Sequence, residues 1–266
     1  KVTAAAGIFT RDMMHDDDYS TAFFSESERF FHNRMNGVLA QYNGKRNSYV
    51  EFVCDWEGMY STLSREKFRI LLAGRHYLDT FYYGFNYSMF HYAGQQGAPI
   101  ENVVDLQLLN PCVGVKFNAF FDFDIKLGAL LTAQRDRSFG HSWEKPCMGE
   151  FAFRISRWGL SLDERLYVGD NIHPFFYGHD LENTDGTPTH IPYGRELYPG
   201  ESFFRTDQKV YSRTALSYSR SFFNDTVSVR AEFAAHHDGT ALGTQQMLVV
   251  GVKLLKTVYN SKNHEK

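Results

Sequence analysis

The sequence predicts an all-β chain, a transmembrane antiparallel β-barrel of about twelve strands. Three observations carry this expectation. One stretch is a very long strand with a clean apolar face. No apolar run is long enough for a membrane helix. The connections alternate between short and long.

The long stretch is FDFDIKLGALLTAQ, residues 121–134. Its alternate residues Phe121, Phe123, Ile125, Leu127, Ala129, Leu131 and Ala133 are all apolar. The intervening set is polar or small except for Leu130. Side chains alternate across a strand with period two, so this is a strand with one greasy and one charged face. A tilted transmembrane strand needs about 9–11 residues, whereas globular strands run about five or six.

The chain of 266 residues suits a single barrel domain spanning 1–266. Aromatics reach 16%, which suits strands and membrane-interface girdles. A net charge of −3 gives no argument for nucleic acid. No run of about 18 apolar residues occurs, as expected when lipid-facing residues are diluted by inward ones. From Lys1 onward no signal-peptide pattern is present, as in a processed chain and equally in a cytoplasmic one. Cys54, Cys112 and Cys147 are too widely spaced to read as a disulfide framework or a zinc site.

In chain order, residues 2–10 read as a strand, followed by a polar loop to about 30 that includes His15-Asp16-Asp17-Asp18. Residues 35–42 are a strand of ambiguous facing, closed by a tight turn at Asn43-Gly44-Lys45-Arg46, where Asn-Gly supplies positive φ. Strands follow at 48–60, 67–77 and 81–92. Over 102–117 the apolar phase changes after Asn110-Pro111, which predicts a bulge or kink at the proline. After 121–134 come strands at 147–158 and 164–169, joined by a turn at 159–163. A long irregular stretch occupies about 170–208 and reads as an extracellular loop. Strands at 210–219, 226–236 and 246–258 complete the chain.

Periodicity defines two faces without saying which is wet. Strand length, the sorting of loops by rim and the uncharged apolar faces favour apolar outside and charge inside. Trp56, Tyr60, Phe81, Tyr83, Trp158 and Tyr218 lie toward strand ends, where a girdle would be. In this arrangement the chain resembles the Gram-negative outer-membrane β-barrel class, porin-like. The resemblance is architectural and covers almost the whole chain. It implies short periplasmic turns, longer extracellular loops, an outer-membrane location, and lipid, lipopolysaccharide and other outer-membrane proteins as neighbours. The chain departs from the class by lacking a terminal aromatic residue.

With the apolar set facing lipid, the expected lumen-lining residues are Glu51, Asp55, Glu57, Lys67, Arg69, Arg75, Asp122, Asp124, Lys126, Glu150, Arg154, Arg213, Arg230 and Glu232. Asp105, Arg165 and Lys253 fall in the same phase. A hairpin centred near Thr62 would set Glu57 beside Lys67 and Asp55 beside Arg69, and one near Phe222 would set Glu232 opposite Arg213. Near-balanced charge predicts a lumen cross-linked by ion pairs. A twelve-strand barrel is narrow, so the expectation is a small, weakly selective passage or a plugged barrel. An accessory barrel acting through its long loops and a membrane lipid hydrolase are the alternatives.

Catalytic, metal and cofactor sites are not expected. His236-His237-Asp238 lies where a strand meets a loop, but no G-x-S-x-G accompanies it. Asp180, Glu182 and Asp185-Gly186 resemble half of a calcium loop, and Asp16–Asp18 make an acidic cluster, without the full ligand spacing.

Overall fold

A computed structural model describes residues 1–97, 103–137, 142–170, 172, 181–182, 188–189, 200–205 and 208–253. Its main element is one antiparallel sheet of twelve strands. These are β1 (Val2–Thr10), β2 (Arg34–Asn43), β3 (Tyr49–Gly58), β4 (Lys67–Leu78), β5 (Phe81–Tyr92), β6 (Val104–Asn118), β7 (Asp122–Asp136), β8 (Cys147–Arg157), β9 (Leu160–Gly169), β12 (Val210–Phe222), β13 (Val227–His237) and β14 (Leu242–Val252). A separate two-residue ribbon, β10 (Leu181–Glu182) and β11 (Pro188–Thr189), lies in the 170–208 stretch. Neighbours in the sheet follow chain order throughout. Strands β1 and β14 are its edges; among the described residues nothing pairs them, so the sheet is not closed into a barrel.

The connections sort by rim. At one rim β4–β5 turns over two residues, Asp79 and Thr80, and β8–β9 over Trp158 and Gly159. Both Trp158 (φ 53°) and Gly159 (φ 85°) are left-handed, the pairing that matches strand twist in a two-residue hairpin. A Cβ on Gly159 would also lie 2.3 Å from the Ser219 carbonyl oxygen. Strand β9 therefore begins at Leu160, not at 164 as the sequence suggested. At the 44–48 turn the positive φ falls on Arg46 (54°) and Asn47 (61°) rather than on Asn43-Gly44, and β2 runs on through Asn43. The opposite rim carries the longer links, including residues 11–33.

Burial separates the two sheet faces. On β7, Leu130 is fully buried and Leu127 is 56% exposed. On β5, Tyr82 is buried and its neighbours Phe81 and Tyr83 are exposed. Exposed apolar side chains continue on the same outer face through Val38, Val50, Phe85, Val113, Leu162, Leu216, Leu248 and Val250. Charged Glu51, Asp55, Arg69, Arg75, Glu150 and Arg213 are buried on the other.

What buries them is the β1–β2 connection. Residues 11–33 contain two turns of 3-10 helix, at Arg11–Met13 and Asp16–Asp18, and one helix α1 (Glu26–Phe31), capped by Ser25, whose side chain accepts from the Glu28 amide. The segment bonds to Glu51 on β3, Arg75 on β4, Tyr167 on β9 and Arg213 on β12. One segment can reach both halves of the sheet only if the sheet curls around it. Tyr19, Ala22, Phe23 and Phe24 form a core with Met35, Leu39, Val53, Leu71, Phe90, Leu106, Leu108, Leu130, Tyr167, Phe203, Phe204 and Tyr211.

This plug also explains β6. Its pairing with β5 is continuous across Asn110 and Pro111, so no bulge occurs there; the ladder to β7 skips these two residues in unchanged register, as a proline without a donor requires. Val104, Leu106 and Leu108 are apolar because they face the plug's core; Val113 and Phe117 are apolar on the outer face beyond it. Asp105 consequently lies on the outer face near the rim, paired with Arg135 and Arg137, not in the interior set.

Leu130→Ala is expected to destabilise the fold by about 2–5 kcal/mol, the cost of a cavity at a buried leucine. Leu127→Ala, from the exposed face, is expected to stay below about 1 kcal/mol. Denaturant midpoints of the two variants measure the difference.

Candidate functional site

The plug carries six carboxylates and only two arginines over residues 11–33. Its carboxylates and the wall's polar groups satisfy each other. Fully buried Glu51 accepts from the His15 amide (2.9 Å), the Tyr19 hydroxyl (3.1 Å) and Gln41 Nε2 (2.5 Å). Asp18 accepts from Arg75 (2.6 Å) and the Tyr49 hydroxyl (2.7 Å), while the His15 ring stacks on Tyr49 at 3.6 Å. On the far wall, the Tyr167 hydroxyl lies 3.0 Å from Ser20 Oγ and donates to Glu150 (3.1 Å). Glu150 also takes Lys126 Nζ (3.0 Å) and Asn110 Nδ2 (2.9 Å). Arg213 reaches both Glu232 (2.5 Å) and Glu26 of α1 (3.8 Å). The plug is anchored a third way by Glu201, whose carboxylate accepts from the Glu26 amide and whose amide donates to the Thr21 carbonyl.

All fourteen expected lumen residues share the phase of this inner face, but the expected ion-pair belt is rearranged. Asp55 and Arg69 are register partners, as anticipated. A bulge between Trp56 and Gly58 shifts the strand, and Arg69 pairs with Glu57 at 3.1 Å instead. Asp55 accepts the Asn36 amide at 2.8 Å. Lys67 approaches Glu57 more distantly, at 3.9 Å. Glu232 stands opposite Ser217, and meets Arg213 diagonally. The sequence analysis missed Tyr19, Glu26 and Tyr167 as members of the network. The plug's acidic run was visible in the sequence, but its long-range partners had no local signal.

The plug packs its aromatic residues toward the long-loop rim, and on the β2–β4 side it reaches the short-turn rim, where His15 Nε2 lies 2.9 Å from Asn43 Oδ1. Toward the short-turn rim it leaves a cavity of about 590 Å³, with Arg11, Asp16 and Arg29 on the plug side and Arg154, Arg165 and Trp158 on the wall. A second cavity of about 280 Å³ adjoins it, sharing Asp17, Arg154 and Arg165, and extends to Asp124 and Lys126. Arg154 and Arg165 both grip Asp163, at 2.9 and 3.0 Å. Asp122, Trp158 and Gly159 belong to the rim and line the larger cavity, so this vestibule opens there.

Titration within the plug follows its surroundings. Burial alone would raise the Glu26 carboxyl, but Arg29, Arg213, Arg165 and Arg230 outweigh it and hold Glu26 below its ordinary value. Burial raises Asp16 above its ordinary value despite Arg29 and Arg11. A depressed carboxyl stabilises the docked plug at neutral pH and loses that contribution as pH falls through the folded value; Asp16 contributes with the opposite sign. Burial and then Glu51 raise the Tyr19 phenol well above its usual value, keeping it a donor.

Other candidates resolve differently. His236 Nδ1 is engaged by the Tyr211 hydroxyl at 2.6 Å rather than by a serine. Asp238 caps its own turn through Thr240 and Ala241. Asp180 and Asp185-Gly186 lie outside the described residues, as does the Glu182 side chain. Asp16 and Asp18 are spent on Arg29 and Arg75. Among the described residues no cluster of metal-ligating side chains occurs. No protein family, curated protein or solved structure matches the chain.

Glu51→Ala strands three donors, each worth about 1–3 kcal/mol when buried and unsatisfied. Native-state proteolysis within residues 11–33 is expected to accelerate at least about tenfold, since 1.4 kcal/mol is a factor of ten. Glu51→Gln, which keeps an acceptor oxygen, is expected to show a smaller effect.

Proposed function

We propose that this chain is a membrane-spanning β-barrel of the outer-membrane type, porin-like in plan and shut at rest by residues 11–33. The observation that carries the reading is the inverted distribution: apolar side chains exposed on the outer face of the sheet, charged ones buried within. In water the arrangement would expose a large apolar surface for no gain; in lipid it is the favourable one. The aromatic residues Phe81, Tyr83, Phe120, Trp158 and Phe223 are exposed at or near the short-turn rim, as a girdle at a membrane interface requires.

The account includes closure of the sheet. Strand β1 runs from the short-turn rim to the long-loop rim and β14 runs back, so antiparallel pairing of the two completes an even-stranded ring. Open edges in hydrocarbon cost several kcal/mol for each unpaired group, which drives that pairing. Small solutes exchange with the vestibule, and passage beyond it requires the plug to move. The plug also supports a second reading, an accessory barrel whose interior is structural.

Two measurements test the reading. Purified protein in detergent is expected to migrate anomalously on a gel when unboiled and to shift on heating. Phe123→Arg or Val250→Arg is expected to abolish assembly into membranes, because arginine at the bilayer midplane costs about 2–4 kcal/mol. Ser156→Arg, facing the vestibule beside Asp122, is expected to assemble. Equal behaviour of the two faces, or solubility without detergent, contradicts the proposal.

A further inference from the structure

We infer that the outer face of the sheet carries a self-association site centred on Glu164 of β9, through which two copies of this chain pair side by side in the membrane. The inference deepens the membrane reading above and rests on it, because Glu164 is out of place only where that face meets lipid.

The argument starts from position. On β9, Asp163, Arg165 and Tyr167 point inward, where Asp163 pairs with Arg154 and Arg165, and Tyr167 bonds to Glu150. Strand alternation sends Glu164 the other way, onto the outer face between Leu162 and Leu166. It lies four residues from Leu160 and five from Gly169, at the middle of the strand. Among the described residues, the other charged side chains of that face are on Arg34, Asp105, Arg135, Arg157 and Arg220. All of these lie within two residues of a strand end, where headgroups and water are in reach. An ionisable side chain at mid-depth is costly in hydrocarbon and occurs where protein supplies it with a partner.

Within one chain that need is half met. Thr214 Oγ1 donates to Glu164 Oε2, which leaves Oε1 without a partner among the described residues. The register extends a row of polar and small side chains from there: Glu164 is opposite Thr214, Thr214 opposite Ala235, and Ala235 opposite Thr244. Lipid tails offer this row nothing, and small side chains let another backbone come close. A second copy completes it. A two-fold axis along the membrane normal relates points at equal depth, so Glu164 and Thr214 of one copy meet the same pair on the other. A carboxylic acid both gives and takes a hydrogen bond, as does a hydroxyl. Each Thr214 donates to its own Glu164 and accepts from the other's, which closes a ring in which every group is satisfied. Leu162 and Leu216, register partners with exposed side chains, flank the ring and pack around it. No cation is required, and none lies at that depth on the outer face among the described residues.

Sedimentation equilibrium of the full chain in density-matched detergent tests the inference, together with cross-linking in isolated membranes. The wild type is expected to dimerise reversibly. Glu164→Leu and Thr214→Val are each expected to raise the dissociation constant about tenfold, because symmetry removes two contacts at once. Glu164→Gln, whose amide also gives and takes, is expected to dimerise like the wild type. In membranes, Leu216→Cys is expected to cross-link through a short bismaleimide above the background of the native cysteines. Val50→Cys, equally exposed on the outer face of distant β3, is expected not to. A monomeric wild type, a Glu164→Leu chain that associates as tightly as the wild type, or a Glu164→Gln chain as weak as Glu164→Leu overturns the inference. Cross-linking at Val50 equal to that at Leu216 overturns it too. A chain that passes the gel and arginine tests and stays monomeric removes this inference alone; one that fails those tests removes the barrel reading and the inference with it.

Discussion

Charge buried behind an outward apolar face is tolerable only if each buried group finds a partner, and residues 11–33 supply the partners. Glu51 illustrates the constraint. With no exposure at all, its carboxylate would be far too costly to ionise in isolation, but three donors converge on it, two of them from the plug. Arg75 is in the mirror position, a wall cation whose counter-ion, Asp18, comes from the plug. The wall and the plug are each incomplete alone. Their mutual satisfaction explains why an acidic, serine-rich segment that could have been a solvated loop is packed instead.

The plug also divides the interior into two chemistries. Along β5–β8 the inner wall toward the long-loop rim is apolar, and aromatic residues of the plug pack against it with Tyr167, Phe203, Phe204 and Tyr211, while β3 and β4 carry Glu57, Lys67 and Arg69 at the same rim. Toward the short-turn rim the inner wall keeps its charges, paired among themselves and around the vestibule. A burial gradient of this kind runs along single strands. Leu130 and Lys126 are on the same face of β7, one in the apolar half and the other paired with Glu150.

Most of the sheet was legible because period-two alternation is a local property. The face assignment of residues 122–134 follows directly from it, and Leu130 was its single irregularity. That irregularity was a signal of the plug: an apolar residue on a polar face needs an apolar partner inside. The phase change in β6 was a second signal of the same thing, and a proline beside it invited a local explanation. Pairings such as Arg69 with Glu57 depend on a bulge that alternation does not encode. The contacts of Tyr19 with Glu51 and of Ser20 with Tyr167 span 32 and 147 residues, and no spacing rule reaches that far.

The central claim is that residues 11–33 close an otherwise continuous passage, and electrical conductance tests it most directly. The wild-type chain would be compared in planar bilayers with one whose residues 13–31 are replaced by a short Gly-Ser linker. The account predicts a quiet wild type and a steady, weakly selective conductance in the replacement, because the wall charges nearly balance once the plug is gone. A wild type that conducts steadily, or a correctly inserted replacement that remains silent, would contradict it.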